Sequence, residues 1–280
     1  MRALLHLLPG LLLPLGVAAC GDNQTPPTRG KFVGGDATPL ACAPNLDGRV
    51  DSSELAPAID VNVGYLINPL GKEREVDVVG RVDGGKRTFR FDLDYADDQK
   101  LDVKASAVAG KWYAESFPTG EFVAPLDAAG TLDGIYRHDD AGVHLLGIAS
   151  KLESAPEGKT LLVYAAPVTV FRFPLVAGSK WVSTGTVTNG TVRGLIYAGK
   201  DVYEVEDDAT GTLVLHDFTF DQVHRVRTKV TVSPSVGPVT MRRQVSFVAE
   251  CFGEVVRVVS KNDEPNADFT VATELRRLGQ

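Results

Sequence analysis

Residues 180–206 read KWVSTGTVTNGTVRGLIYAGKDVYEVE, and this stretch decides the fold. At its centre, Asn189-Gly190 is a strong short hairpin signal, because a two-residue type I′ turn needs positive φ twice and these residues tolerate it. Beyond it, Val202 to Glu206 alternates apolar and polar side chains as a half-buried strand does. Strands joined by so short a link pair antiparallel, since a parallel pair needs a crossover of a dozen or more residues.

The same texture extends outward. Alternating runs recur at Glu75–Val82, Thr88–Leu93, Gly142–Ile148 and His224–Val232. Turn chemistry lies between runs: Asp83-Gly84-Gly85, Ala109-Gly110, Asp139 to Gly142 and Asp207 to Gly211. No segment carries a long helical period. The expectation is a mainly β fold with very little helix: an antiparallel curved sheet, whether half-barrel, barrel or sandwich.

The 280 residues are 44% hydrophobic and 23% charged, enough for one large or two modest globular units and outside the range of disordered chains. A net charge of −7 without a dense Lys/Arg run argues against nucleic acid, or an anionic membrane held by the chain's own charge, as a partner.

Met1 and Arg2 precede a Leu-rich core broken by Pro9 and Pro14, followed by Val17-Ala18-Ala19-Cys20. This is the layout of a secretory signal, too short and too proline-broken to span a membrane. Val-Ala-Ala-Cys resembles the lipobox of bacterial lipoproteins. That resemblance implies cleavage before Cys20, lipid on its sulfur and new amino terminus, and a membrane partner through that lipid. Gly21 after the cysteine points to the outer membrane, although Asp22 blurs that reading. Residues 20–41 have the Gly, Pro, Thr and Asp content of a flexible tether.

Two further cysteines, Cys42 and Cys251, are expected to be disulfide-bonded in an exported compartment, two separate buried thiols being the alternative. The alternation Val245, Phe247, Ala249, Cys251 places the second on the apolar face of a strand.

Residues 42–58 carry the sharpest local motif. Asn45, Asp47, Gly48, Arg49 (at position 7, which ligates through its carbonyl), Val50, Asp51 and Glu54 resemble an EF-hand loop, implying a weak calcium site with Asn45, Asp47, Arg49, Asp51 and Glu54 as ligands. Ala43 stands where the first ligand belongs, and Pro39 and Pro44 oppose an entering helix. The competing reading is a turn at Asp47-Gly48 followed by a capping box of Asp51 and Glu54. No cofactor is required.

Enzyme signatures are missing: no Gly-x-Ser-x-Gly, His-Glu-x-x-His, phosphate loop or dinucleotide fingerprint occurs. His138-Asp139 and His216-Asp217 are sequence neighbours, which on a strand point to opposite faces. The acidic cluster Asp92, Asp94, Asp97 and Asp98 reads as a solvated hairpin end. Arg225, Arg227 and Lys229 read as a solvated stripe neutralised by Asp217 and Asp221 across from Gln244. The chain is therefore expected to be non-catalytic, with a hydrolase built from distant residues as an alternative.

Phe173-Pro174-Leu175, Gly178 and Trp181, followed by hairpins, are similar in style to LolA/LppX-like half-barrel lipoproteins. That likeness implies a lipid or other hydrophobic ligand held in a curved sheet. It names no protein partner. The organisation is thus a signal peptide over 1–19, a lipidated tether over 20–41, the loop over 42–58, and β-rich halves over 59–167 and 168–280.

Overall fold

The computed structural model describes residues 42–279; Cys20 and the segments expected to be signal peptide and tether lie outside the described residues. The described residues form one unit. Its main sheet has 15 strands: β1 (Asn62–Ile67), β2 (Arg81–Asp83), β3 (Lys86–Phe91), β4 (Gln99–Lys104), β5 (Ser106–Ala107), β6 (Phe122–Pro125), β7 (Leu132–Asp139), β8 (Gly142–Ser150), β9 (Leu161–Arg172), β10 (Lys180–Val192), β11 (Leu195–Leu215), β12 (Thr219–Pro234), β13 (Thr240–Ala249), β14 (Gly253–Val259) and β15 (Glu274–Leu278).

The order across the sheet is β4-β1-β15-β14-β13-β12-β11-β10-β9-β8-β7-β6-β5. Its two ends are consecutive in the chain. β4 pairs with β1, β5 pairs with β6, and only Ala105 separates β4 from β5. One nearly continuous strand therefore serves both edges, and the antiparallel sheet curls into a nearly closed barrel. Of the three shapes expected from the sequence, this is the barrel.

Several expected turns are displaced. The β10–β11 hairpin exists, but its turn is Arg193-Gly194, both at positive φ, with Val192 opposite Leu195. Asn189-Gly190 sits inside β10 at a register shift; a Cβ on Gly190 would lie 2.6 Å from Val187 and 2.8 Å from Leu162, so this glycine answers to packing. Asp207 to Gly211 is likewise no turn: it lies within the 21-residue β11, at two bulges. Gly84-Gly85 does form the β2–β3 turn. The boundary at 167/168 falls in the middle of β9, where residues 164–167 bulge opposite Leu146. Pro167 is tolerated there because a bulged residue need not donate to the ladder.

Partners in a ladder share a face. Asp207, Val226, Ser246, Arg257, Arg276 and Ile67 are successive partners across six strands, and Val50 packs against this face with Trp181, Val205, Val226 and Val248. This is the inside of the barrel. The alternate residues, Val245, Phe247, Val256, Val258 and Leu275, form the outer face, buried beneath Val78, Phe89, Phe91 and Phe269 from the excursions after β1 and β14. A third excursion, after β5, lays Val108, Tyr113 and Phe117 over Val123, Ile135 and Leu146. Both faces of the wall are thus apolar in places, for different reasons.

Residues 42–58 cross one mouth of the barrel. Arg49–Val50 pair with Leu175–Val176, Val50 is fully buried, and Leu55 packs on the Trp181 and Phe173 clusters. Cys42 is bonded to Cys251, with Cα atoms 5.5 Å apart. Cys251 lies in the β13–β14 turn at φ +64°, not on a strand face. In the chain-entropy picture this long cross-link is worth about 5 kcal/mol.

Val50→Asp should cost about 3 kcal/mol or more in chemical denaturation, because a carboxylate there would be buried without a partner. A loss below about 1 kcal/mol would show that the plug does not depend on this contact.

Candidate functional site

The plug residues are satisfied by the protein itself. The Glu250 carboxylate, buried at 3% exposure, accepts from the Asn45 and Leu46 N–H groups at 2.7 and 2.9 Å and from Gln222 Nε2 at 3.1 Å. Glu54 accepts from the Asp51 N–H and from Asn45 Nδ2, both at 2.8 Å, closing a capping box on the 3₁₀ turn Ser52–Leu55. Arg49 reaches Asp51 at 2.7 Å and Asp47 at 3.4 Å, so a guanidinium stands between two of the three carboxylates named as calcium ligands. The Glu54 carbonyl accepts the Cys251 N–H at 2.8 Å, and His138 Nε2 lies 3.0 Å from the Ser52 carbonyl. Asn45, Asp47, Arg49, Asp51 and Glu54 are thus brought together, but around Arg49 and backbone donors.

The interior changes along its length. Beside the plug, Val226 is 1% exposed, Val205 3% and Val248 0%. Towards the other mouth, Thr228, Val230 and Val232 on the same face of β12, with Tyr203 and Gln244 beside them, are only part-buried. At this end the interior is thus less tightly packed beside β12 and β13, while Asp201, opposite Val232, stays buried at 5% exposure.

Two polar groups line this space. On β14 and β15, Glu254 receives Arg257 and Arg276, each within 2.6 Å, and accepts the Ser246 hydroxyl at 2.8 Å. Burial works to raise the Glu254 carboxyl, but the two arginines more than offset it and hold it below the ordinary value. The same charges act on the Tyr136 hydroxyl from across the interior. On the other side, Tyr164 donates to Asp201 at 2.7 Å. Burial raises the Asp201 carboxyl although that hydrogen bond opposes it, and its second oxygen has no partner.

The tyrosines lie flat against the wall because glycines lie beneath them. A Cβ on Gly134 would fall 2.5 Å from the Tyr136 hydroxyl, one on Gly185 2.6 Å from the Tyr164 ring, and one on Gly199 2.7 Å from the Tyr197 hydroxyl. This device covers strand glycines with aromatic faces and keeps the rings off the barrel axis.

His144 and His224 meet carboxylates that are not their sequence neighbours, whereas His216 Nε2 stays 3.8 Å from the adjacent Asp217. His144 Nε2 is 3.1 Å from Asp139 and its Nδ1 is 3.2 Å from Thr169 Oγ1, a triad-like order formed from the neighbouring strands β7, β8 and β9. Burial works to raise Asp139, but His144 and the Ala141 and Gly142 N–H groups hold it below its ordinary value. His224 Nδ1 meets Asp207 at 2.7 Å. Both are essentially unexposed and His224 Nε2 has no partner, so no nucleophile is in its reach. Two open depressions of about 510 Å³ each occur on the outer wall, one beside Phe91 and Tyr95, one beside Lys180 and Lys229.

Neither a protein family, nor a curated protein sequence, nor a solved structure matches this chain.

The expected surface polarity is corrected at two places. Asp97 and Asp98 are not a solvated hairpin end: they receive Arg74 at 2.7 and 2.9 Å, and Asp98 also binds Arg277. Arg225 is only 4% exposed and grips Asp208 with two nitrogens at 2.8 Å, while Arg227 uses Asp208 and Asp268 and Lys229 uses Glu204. The partners are Asp208, Asp268 and Glu204 instead of Asp217 and Asp221. The interior lining was missed by sequence reasoning; the only trace of it was tyrosine near glycine within strands.

Asp201→Asn keeps an oxygen for the Tyr164 hydroxyl and removes the ionisation. A carboxyl whose folded pKa is raised is harmless below its ordinary value of 3.8 and costs stability as pH climbs through the folded value. The variant should therefore melt several degrees higher at pH 7 and lose that gain towards pH 4 and below. The same melting difference at both pH values would contradict the assignment.

Proposed function

We propose that this protein is a lipid-anchored, non-catalytic binding protein of the cell envelope that holds a small amphipathic ligand inside its barrel. The observation carrying this reading is the looser packing along the inner face of β12, from a buried Val226 beside the plug to part-buried Val230 and Val232. A concave interior with apolar walls and few convergent polar groups is what small-molecule sites use. Here Val230, Val232, Tyr136 and Tyr203 supply the apolar area, Asp201 a polar anchor level with Val232, and Arg257, Arg276 and Glu254 polar anchors deeper in. The anchor rests on Val17-Ala18-Ala19-Cys20, and the resemblance to half-barrel lipoproteins supports the same class of ligand.

Anilinonaphthalene sulfonate, an anionic amphiphile that fluoresces in apolar surroundings, is a suitable probe for the mature chain carrying Cys20→Ser. Saturable fluorescence is expected, and Val230→Trp should abolish most of it by filling the interior without loss of folding. Equal binding by parent and Val230→Trp, or none by the parent, would overturn the proposal.

A further inference from the structure

Two neighbouring hairpin tips at the end opposite the plug are strongly apolar and uncovered. In the β10–β11 tip, Leu195 is 73% exposed and Ile196 97%; in the β12–β13 tip, Val236 is 93% and Val239 58%. They are side by side, because Gly199 pairs with Pro234 and the Ser235 N–H donates to the Ala198 carbonyl at 2.8 Å. Single exposed aliphatics are ordinary, but four on two adjoining tips form a patch that a water-facing surface does not favour.

Basic side chains outnumber acidic ones around the patch, where the exposed Asp263 carboxylate accepts the Met241 N–H at 2.9 Å. Residues 193–200 and 233–243 contain Arg193, Lys200, Arg242 and Arg243 and no carboxylate, in a chain whose net charge is −7. Arg193 and Lys200 are exposed and make no ion pair among the described residues. Aliphatic tips flanked by basic residues match the layering of an anionic bilayer surface, with apolar groups below the headgroups and cations at their level.

Geometry permits the contact. The described chain begins at Cys42, at the plugged end. From Leu195 to Glu206 the barrel wall is about 40 Å long, and the 22 residues from 20 to 41 extend to about 70 Å. A lipid on Cys20 can therefore stay in the bilayer while the opposite end of the barrel rests on the same surface.

We infer that the Leu195-Ile196 and Val236–Val239 tips dock on the surface of an anionic lipid bilayer, turning the open mouth of the barrel towards it. This rests on the membrane tether of the preceding section and not on the interior ligand.

The test is flotation of the full mature chain carrying Cys20→Ser with vesicles of phosphatidylcholine alone or with one quarter phosphatidylglycerol. The parent should float with the anionic vesicles, and Ile196→Asp with Val236→Asp should lower the partition coefficient tenfold or more with no change in melting temperature. Val271→Asp, a partly exposed apolar position elsewhere, should leave it unchanged. Absence of binding by the parent, or equal binding by the double variant, would overturn the inference. So would a concentration-dependent dimer that the double variant abolishes while vesicles are ignored, since the patch would then meet a second copy of the chain. Anilinonaphthalene sulfonate binding should survive the double variant, which separates this inference from the interior site.

Discussion

The step at Ala105 is the constraint on which the remainder depends. Residues 99–104 are hydrogen-bonded to β1 and residues 106–107 to β6, so one stretch of chain supplies both edges of the sheet. Closure removes the exposed edges that make open sheets prone to association. It also creates two different faces. Side chains such as Val226 and Ser246 point to the inside, and their neighbours Phe247 and Val245 must find cover outside. The excursions between β1 and β4 and between β5 and β6 exist to supply that cover, which is why the order of strands in space is interrupted by long loops with little regular structure.

Arginines fasten those excursions to the wall. Arg225 on β12 donates to the Val78 carbonyl at 2.7 Å while gripping Asp208, and Arg277 on β15 donates to the Phe91 carbonyl at 2.9 Å while bound to Asp98. Both are buried, and a guanidinium can remain charged there because a carboxylate and backbone oxygens satisfy its fork of donors. Removing one partner of such a pair costs about 3–5 kcal/mol, since the other charge is left without compensation. The plug is held by the corresponding acidic device: Glu250 gathers two N–H groups of residues 45–46 beside the disulfide.

Local chemistry was legible and non-local purpose was not. The hairpins around Gly84-Gly85 and Asp139–Gly142 and the Asp51–Glu54 capping box depend on residues a few positions apart, and they stand where the sequence puts them. Asn189-Gly190 misled because glycine satisfies two different demands. Positive φ is met four residues later at Arg193-Gly194, and Gly190 makes room for Leu162 and Val187. The roles of Asp97, Asp98 and Asp208 depend on arginines far away in sequence, which no local pattern displays. The interior was invisible for the same reason, because which residues face it depends on register and on two bulges in β11.

The central claim is an interior closed by residues 42–58 at one end and reached by solvent from the other. Single cysteines placed along the inner face of β12, as Val226→Cys, Thr228→Cys, Val230→Cys and Val232→Cys in a Cys20→Ser background, would report it by their rates of reaction with a small charged methanethiosulfonate. The account predicts slow labelling at 226 and progressively faster labelling from 228 to 232, with the Cys42–Cys251 bond intact. Equal protection at 226, 230 and 232 would mean a filled barrel and would contradict the account.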